Sequence, residues 1–288
     1  TGAGSDTVNV NTVLRGGEIF LGDGEDIIEV AKKITNWNGV TIYGDNGNDI
    51  IDLENGSQTY VRISGNEGDD SLILGGDFSS GSSQYFLGGN GNDTINISNA
   101  TGLTFTRPHL WIQGDIGNDS LIGNSEGNRL IGGEDNDFLN GGGGNDILYG
   151  NFSHTQTNSN NFLDIAIYSG TSNDYKVSRA TDSTFGYVYY IQDTRDGSPD
   201  GLDSLYEIDK LRFSDGDFNL ATYYSIQERG GTGDDELTGT SGDDLIDGFG
   251  GNDTITGLAG DDILLGGDGD DEIDGGSGTN RLYGDAGD

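Results

Sequence analysis

The fold is decided by six consecutive nonapeptides: GGTGDDELT (230–238), GTSGDDLID (239–247), GFGGNDTIT (248–256), GLAGDDILL (257–265), GGDGDDEID (266–274) and GGSGTNRLY (275–283). They are copies of the pattern G-G-x-G-x-D-x-U-x, in which U is a large apolar residue; the second glycine is replaced in three of them and the aspartate by Asn in the last. Their sixth positions are Asp235, Asp244, Asp253, Asp262, Asp271 and Asn280, and their apolar positions are Leu237, Ile246, Ile255, Leu264, Ile273 and Leu282. A period this regular indicates a stack of small identical units.

The pattern of each nonapeptide predicts a turn followed by a short strand. Glycine adopts positive φ without strain and exposes backbone carbonyls, and aspartate adds a hard carboxylate oxygen beside them. Ca²⁺ prefers about six to eight oxygen ligands of this kind, at roughly 2.3 to 2.6 Å. The single apolar residue of each repeat then points inward, which suits a narrow core closed by strands on two faces.

These repeats resemble those of the RTX family of secreted bacterial proteins, the hemolysin-type calcium-binding nonapeptide repeats. The resemblance implies a right-handed parallel β-roll or β-helix, in which the first six residues of each repeat bind Ca²⁺ and the last three form a strand. We therefore expect an all-β protein of stacked calcium-binding turns, interrupted by a small β-rich module. The family also implies type I secretion and a secreted, extracellular or cell-surface location.

The first half of the chain carries the same motif at a longer spacing. Clear copies are GGNGNDTIN (88–96) and GGGGNDILY (141–149). Sixth-position aspartates recur at longer and less regular intervals, at Asp6, Asp26, Asp49, Asp70, Asp93 and Asp119. Two nonapeptides make one complete coil, so intervals longer than two repeats predict the same coil with an insertion on one side. From Asp119 the spacing shortens to a single repeat, through Asn128, Asp137 and Asp146.

The candidate metal ligands are the thirteen sixth-position aspartates and the backbone carbonyls of the turns. The aspartates are Asp6, Asp26, Asp49, Asp70, Asp93, Asp119, Asp137, Asp146, Asp235, Asp244, Asp253, Asp262 and Asp271. The carbonyls lie near Gly24, Gly47, Gly68, Gly89, Gly91, Gly117, Gly142, Gly144, Gly231, Gly233, Gly242, Gly251, Gly260 and Gly269. Adjacent coils lie about 4.7 to 4.9 Å apart, so one Ca²⁺ can take an aspartate from each of two successive turns. In the family geometry the ladders offer about ten sites.

Composition divides the chain into three parts. Residues 1–150 predict an irregular-pitch β-roll with one main calcium edge, and residues 229–288 predict a regular nonapeptide β-roll truncated at its C-terminal end. Residues 151–228 are poor in Gly and rich in Tyr and Phe, which indicates an inserted aromatic-rich β-module. We expect this module to cover the open coils of the stack, because terminal coils expose unpaired strand edges.

Local patterns inside the aromatic-rich stretch predict some of its elements. Residues 175–177 and 187–191 are rich in Tyr, Val and Ile, which favours two strands of a hairpin. The spacing of Leu205, Ile208 and Leu211 suggests a short turn of helix that leads into another strand.

The charge of the chain excludes several function classes. The 288 residues contain 50 acidic and 13 basic residues, for a net charge of −37, and no cysteine. Nucleic-acid and anionic-lipid binding need clustered Lys and Arg, so we expect no nucleic-acid partner and no membrane insertion. Without cysteine the chain has no disulfides and no thiolate metal sites.

The same charge couples folding to calcium. Stacked coils bring carboxylates within about 5 Å of each other, and like charges at that distance oppose folding. Metal ligation and folding then become one event. Extracellular calcium modules bind at about 10⁻⁴ to 10⁻³ M, so we expect the chain to be largely unfolded at cytosolic calcium and folded at millimolar calcium.

The residue patterns do not favour catalysis in this stretch of chain. The string GNSEG (123–127) matches the G-x-S-x-G hydrolase motif, but it occupies positions one to five of a repeat and no helix is predicted after it. Pairs such as Asp69 and Asp70 resemble glycosidase carboxylates, but in register the first faces solvent and the second is the metal ligand. We expect no enzymatic activity here, although the parent protein can carry a catalytic domain elsewhere.

We therefore interpret the chain as a calcium-binding structural segment of a larger exported bacterial protein. It begins and ends inside repeats and contains no Met, which predicts an excised portion. Two alternatives stay open, both with extracellular or cell-surface polysaccharide as the partner. One is a carbohydrate-binding adhesin module that uses residues 151–228. The other is an accessory module of a polysaccharide-acting enzyme, since coils as long as those of the first half also occur in parallel β-helix lyases and epimerases.

Overall fold

The structure is a computed structural model that describes residues 2–10, 15–30, 34–54, 56–78, 84–104, 110–151, 163–182, 186–220, 230, 233–284 and 287. In these ranges the chain forms twenty-six β-strands, numbered β1 to β26 in chain order, and one 3-10 turn, Ser172–Asp174. The predicted all-β class is confirmed.

The first sheet contains ten strands, and nearly all neighbours in it are parallel. In spatial order they are β1 (Thr7–Asn9), β3 (Ile27–Glu29), β5 (Ile50–Leu53), β7 (Ser71–Asp77), β9 (Thr94–Thr101), β11 (Ser120–Ile122), β13 (Phe138–Asn140), β15 (Ile165–Ile167), β19 (Lys210–Phe213) and β20 (Gly216–Asn219). The last pair, β19 and β20, is antiparallel.

The second sheet also contains ten strands. In spatial order they are β2 (Arg15–Asp23), β4 (Ile34–Asn46), β6 (Gly56–Glu67), β8 (Gln84–Asn90), β10 (Leu110–Ile116), β12 (Arg129–Glu134), β14 (Ile147–Tyr149), β18 (Leu202–Tyr206), β17 (Gly186–Asp193) and β16 (Tyr175–Asp182). Successive strands from β1 to β14 alternate between the two sheets, so each coil of the stack contributes one strand to each sheet.

The core lies between the two sheets. In the first sheet Ile28 pairs with Ile51, Ile51 with Leu72, and Leu72 with Ile95, and all four side chains are fully buried. In the second sheet the matching column is Ile42, Ile63, Phe86, Ile112, Leu130, Leu148 and Leu205. Alternate residues of each strand therefore point inward, as the single U position of the repeat predicts.

The regular repeats form two three-stranded parallel sheets. One contains β21 (Glu236–Thr238), β23 (Thr254–Thr256) and β25 (Glu272–Asp274), and the other contains β22 (Leu245–Asp247), β24 (Ile263–Leu265) and β26 (Arg281–Tyr283). Paired residues such as Leu237 and Ile255 are separated by two nonapeptides, which is one coil. The predicted apolar positions Leu237, Ile246, Ile255 and Leu264 are buried, whereas Leu282 is 48% exposed.

The aromatic-rich stretch extends both sheets of the first stack. Strand β15 lies between β13 and β19, and β18 pairs with β14, all in parallel. The predicted hairpin is confirmed, because β16 and β17 are antiparallel partners. The predicted helical turn is wrong. Leu205 and Leu211 are instead the inward residues of strands in opposite sheets, and the buried Ile208 lies between these strands.

The hairpin also contacts the regular repeats. The Tyr283 hydroxyl donates a hydrogen bond to the carbonyl of Tyr175 at 2.6 Å. Leu245, Ile263 and Leu265, which point away from the core of their own coil, share a buried cluster with Tyr175 and Val177. The division into 1–150, 151–228 and 229–288 stays a prediction, but strands from the first two ranges share the same sheets.

Candidate metal centre

The repeat around Asp93 shows how one turn is built. Its first six residues are Gly88 to Asp93, and Thr94 begins the next strand, β9. The Asp93 side chain is 1% exposed, and its Oδ1 accepts a hydrogen bond from the backbone N–H of Asp70 at 2.7 Å. The buried carboxylate therefore reaches the equivalent residue of the preceding coil.

The same hydrogen bond recurs along every edge of the stack. On the first edge each Oδ1 accepts the N–H of the preceding sixth-position residue at 2.6 to 2.8 Å, through Asp6, Asp26, Asp49, Asp70, Asp93, Asp119 and Asp137. On the opposite edge Asn128 donates to Asp146 at 2.6 Å. In the regular repeats the ladders run through Asp235, Asp253 and Asp271 and through Asp244, Asp262 and Asn280.

The other carboxylate oxygen, Oδ2, is buried without a hydrogen-bond partner in ten of the thirteen predicted aspartates. These are Asp26, Asp49, Asp70, Asp93, Asp119, Asp137, Asp146, Asp253, Asp262 and Asp271. A buried charged oxygen without a partner is costly. Ten of them at equivalent positions indicate a repeated ligand that is not part of the polypeptide.

Each of the ten follows another turn on the same edge. The first turns at Asp6, Asn128 and Asp244 behave differently, because their side chains accept a hydrogen bond from the second residue of their own repeat. Gly2 N–H donates to Asp6 Oδ2 at 3.2 Å, Thr240 N–H donates to Asp244 Oδ2 at 2.5 Å, and Asn124 N–H donates to Asn128 Oδ1 at 2.8 Å. Among the thirteen aspartates, the orphaned oxygen thus occurs where two turns are stacked.

The first glycine of each repeat allows Oδ2 to approach the backbone. A Cβ added at Gly88 would lie 2.3 Å from Asp93 Oδ2 and 2.6 Å from the carbonyl oxygen of Gly114, the first glycine of the next coil. The first glycines of the other stacked turns show the same crowding. The carboxylate and the first-position carbonyls therefore converge on one small space.

Asn280 shows which kind of group the carbonyl oxygens of this space can bind. Its Nδ2 donates a hydrogen bond to the carbonyl oxygen of Gly275, the first residue of its own repeat, at 2.5 Å. In the aspartate turns an oxygen replaces that amide, so acceptors face each other with no hydrogen between them. A cation fits this donor set, and oxygen-only ligands are typical of Ca²⁺.

The fourth-position glycines stack at the same edge. Gly47 and Gly68 have φ of +119° and +125°, and a Cβ at Gly68 would lie 2.2 Å from the Gly47 carbonyl oxygen. Positive φ is also found at Gly24, Gly89, Gly91, Gly117, Gly142, Gly144, Gly251, Gly260 and Gly269, but not at Gly233 or Gly242. Gly231 lies outside the described residues. Which of these carbonyls bind an ion stays a prediction.

Fifth-position side chains form a second, exposed ladder. Asn48 Oδ1 accepts the N–H of Asp69 at 2.9 Å, and Asp69 Oδ1 accepts the N–H of Asn92 at 2.7 Å. These residues are exposed, so their carboxylates and amides reach water as well as the next coil. The fifth and sixth residues of the repeat therefore differ mainly in burial.

Burial raises the pKa of the sixth-position carboxyls. The pKa of Asp70 rises to about 7, that of Asp119 to about 8 and that of Asp137 to about 9. Desolvation is the largest cause, and neighbouring aspartates of the ladder add to it. Without a cation these turns favour protonated carboxyls, whereas a bound Ca²⁺ would favour the ionised form.

The sequence analysis missed three aspartates that continue the ladders. Asp137 N–H donates to Asp164 Oδ1 at 2.9 Å, and Asp164 N–H donates to Asp209 Oδ2 at 2.9 Å. On the opposite edge Asp146 N–H donates to Asp203 Oδ1 at 2.8 Å. Burial raises the pKa of Asp164 to about 8 and that of Asp203 to about 7.

A partial repeat marks each of the three. The strings LDSLY (202–206) and IDKLR (208–212) keep the last five positions, x-D-x-U-x, and LDIAI (163–167) keeps them with the small Ala166 at the U position, all without the complete glycine turn before them. Gly150 supplies the missing glycine for Asp164, since a Cβ there would lie 2.5 Å from Asp164 Oδ2. A search for the half-motif alone would have found these residues.

Next to the Asp203 turn, a guanidinium neutralises two carboxylates. Arg195 contacts Asp193 at 2.8 Å and Asp200 at 3.0 Å, and it donates to the Tyr175 hydroxyl at 2.8 Å. Tyr175 in turn hydrogen-bonds Asp200. At this end of the stack, a side-chain cation lies among carboxylates close to the coil edge.

No three acidic or histidine side chains cluster as a metal site within the described residues. The turns explain this, because each offers one or two carboxylates and takes its other oxygens from the backbone. Residues 123–127, which match the G-x-S-x-G pattern, connect the strands β11 and β12 directly.

Comparison with known families agrees with this geometry. A family model described as "RTX calcium-binding nonapeptide repeat (4 copies)" matches residues 40–57, 82–96, 111–126, 122–153, 229–264 and 256–288. RTX calcium-binding repeats are thus present in these ranges of the chain. The matched ranges contain Asp49, Asp93, Asp119, Asp137 and Asp146 and every sixth-position residue of the regular block. The aspartates outside them are the predicted Asp6, Asp26 and Asp70 and the additional Asp164, Asp203 and Asp209.

RTX repeats bind calcium and occur in secreted bacterial proteins. A solved structure, the extracellular lipase LipA from Serratia marcescens, matches at 21% identity over 66% of this chain and 34% of the lipase, with a TM-score of 0.23. The chain thus spans about a third of the length of that structure. The search of curated proteins found no match. The described residues include no helix long and apolar enough to cross a membrane.

Proposed function

We propose that this RTX segment is a calcium-dependent folding unit of a larger exported protein, with one Ca²⁺ bound between successive turns on each edge. The carrying observation is the set of ten buried Oδ2 atoms without hydrogen-bond partners, each in a turn that follows another turn. Each ion would be bound by the carboxylates of two successive sixth-position aspartates and by nearby backbone carbonyls. We therefore propose about ten bound Ca²⁺ ions in total.

The ions would provide the stability that the narrow core lacks. Only 31% of the residues are hydrophobic. At a calcium concentration ten times its dissociation constant, each site adds about 1.4 kcal/mol. Because domains are usually stable by about 5 to 15 kcal/mol, several such sites decide whether the segment is folded.

Export follows from this dependence as part of the same proposal. A chain with a net charge of −37 stays unfolded where calcium is scarce, which suits passage through a type I secretion channel. It then folds at the millimolar calcium found outside cells. In this proposal the segment is structural, and its location is extracellular or on the cell surface.

A calcium titration followed by far-UV circular dichroism tests the proposal. We expect little β structure in excess chelator, a cooperative gain of β structure near millimolar calcium, and full reversal when chelator is added again. Isothermal titration calorimetry on the same sample gives the number of ions. Equal β content in chelator and in millimolar calcium would overturn the proposal.

A further inference from the structure

Four outward-facing residues of the second sheet form one row across adjacent strands, and we name it the arginine–aromatic row: Arg62, Tyr85, Trp111 and Arg129. Arg62 pairs with Tyr85, and Tyr85 pairs with Trp111. Gln113 pairs with Ile131, which puts Arg129 beside Trp111 two residues earlier on each strand. These four residues are far apart in the sequence, but the parallel register of the strands brings them side by side.

The row lies on the outer face of the stack. Each member alternates with fully buried neighbours, such as Ile63, Phe86 and Ile112, while its own side chain is partly exposed. Three interstrand steps separate Arg62 from Arg129, so the row is about 14 Å long at roughly 4.8 Å a step. In the order of the strands, two aromatic residues therefore lie between two arginines.

Both arginines keep donor capacity that the described residues do not use. Arg62 lies over the Tyr85 ring, with its guanidinium carbon 4.4 Å from the ring centroid. The Nε atoms of Arg62 and Arg129 are buried and have no hydrogen-bond partner among the described residues, so only the terminal nitrogens can reach a ligand. In a chain with 50 acidic and 13 basic residues, arginines readily find carboxylates, as Arg195 and Arg212 do here. Among the described residues neither Arg62 nor Arg129 forms an ion pair with a carboxylate, so the terminal nitrogens of these partly exposed side chains are left for an acceptor outside the protein.

A polar groove adjoins the row. Its volume is about 550 Å³, and its lining includes Ser64, Asn66, Asn90 and Gln113. Ser64 is two residues after Arg62 on the same strand, and Gln113 is two residues after Trp111. The groove therefore begins at the next outward-facing position of these strands. Hydroxyl and amide side chains of this kind hydrogen-bond the hydroxyl groups of a sugar.

We propose that the arginine–aromatic row and its groove bind a carboxylated glycan chain, such as a polyuronate. Guanidinium forks pair with carboxylates in a bidentate manner, and the exposed parts of Tyr85 and Trp111 provide apolar surface for a sugar ring beside them. The acidic Glu67, Asp115 and Glu134 of the groove orient the glycan, because they repel its carboxylates and favour its hydroxyl groups on that side. Apart from Asn151 in the groove lining, this site lies outside residues 151–228, where the sequence alone suggested a carbohydrate role.

The test uses the full chain in millimolar calcium, with calorimetric titration of a defined oligogalacturonate and of its methyl ester. We expect the acid to bind and the ester to bind at least about tenfold more weakly, since a charge-assisted hydrogen bond contributes about 1.5 to 3 kcal/mol. Arg62→Gln combined with Arg129→Gln should weaken binding of the acid at least about tenfold. Arg212→Gln, at a paired arginine outside the row, should leave binding unchanged.

Circular dichroism of each variant in calcium separates loss of binding from loss of the fold, and so keeps this test independent of calcium-coupled folding. Three results would overturn the proposal: no binding by the folded wild-type chain, equal binding of acid and ester, or wild-type affinity in the folded double variant. Binding of poly-glutamate through the same arginines, without binding of the oligogalacturonate, would assign the row to acidic peptides and also overturn it.

Discussion

The two oxygens of each sixth-position aspartate have different partners. Oδ1 accepts a backbone hydrogen bond from the coil before it, and Oδ2 lacks a partner within the protein. Asparagine preserves the first oxygen and replaces the second with an amide, as Asn280 shows. Substitution of aspartate by asparagine therefore separates the hydrogen-bond ladder from the binding of metal.

Asp69 and Asp70 form a matched pair for this experiment. Asp70→Asn keeps the acceptor for the Asp49 N–H and removes one buried ligand charge, so we expect the calcium midpoint of folding to rise severalfold and the ion count to fall. Asp69→Asn removes an equal charge but keeps the exposed acceptor for the Asn92 N–H, so the midpoint should hardly move. Circular dichroism and calorimetry measure both, and equal shifts for the two variants would contradict the assignment.

The raised pKa values predict opposite effects of pH with and without metal. The pKa of Asp49 rises from 3.8 to about 6 and that of Asp137 to about 9, mainly by burial. Such groups stabilise the metal-free fold fully below about pH 4, and they lose this contribution as the pH rises through 6 to 9. In chelator, we expect β content to increase as the pH falls from 9 toward 5.

In calcium the direction reverses, because protons and Ca²⁺ compete for the same oxygens. The calcium midpoint should therefore be higher at pH 5 than at pH 8. Circular dichroism over both series checks the two trends. A metal-free chain whose β content grows with rising pH would show that the buried carboxyls are not the groups that oppose folding.

The elements show which parts of the fold a local pattern can predict. Six uninterrupted nonapeptides specify turn, strand and register together, and the longer coils keep the same turn, so the stacking of both was predictable. The half-repeats at 163–167, 202–206 and 208–212 were not recognised, because their turns are completed by distant residues. Gly150 lies fourteen positions before Asp164, and only the folded coil brings them together.

Leu211→Ala tests how firmly these half-repeats belong to the first stack. Leu211 is fully buried and pairs with Ala166, so truncation should cost about 2 to 5 kcal/mol. Because β19 and β15 continue the sheet of β13, we expect amide hydrogen exchange to accelerate in β13 and β11 as well. Leu202→Ala, at a side chain that is 42% exposed, should have little effect.

The exchange experiment also tests the predicted boundary near residue 150. Wild-type protection throughout 110–150, together with loss of protection in 163–220, would mean that the aromatic-rich stretch unfolds as an independent module. Joint loss of protection would mean that the stack and this stretch form one cooperative unit.

For the whole molecule, the net charge of −37 requires a ligand and not only a counterion. Salt screens repulsion between exposed charges but supplies no ligands to buried oxygens. Mg²⁺ demands octahedral geometry at about 2.0 to 2.1 Å and gives up its water reluctantly. We therefore expect millimolar Ca²⁺ to fold the chain, and neither equimolar Mg²⁺ nor a large excess of NaCl to do so, as measured by circular dichroism. Folding by NaCl alone would show that screening is sufficient.

The aspartate ladder also makes the stack polar. Each Oδ1 belongs to the later coil and each donated N–H to the earlier one, so the two faces of a coil are chemically different. A coil that joins at the N-terminal side finds an acceptor oxygen already positioned, whereas a coil that joins at the C-terminal side must bring its own carboxylate. The two ends of the roll therefore differ. Assembly should proceed more readily by addition of coils at the N-terminal side, where the acceptor oxygen is already in place.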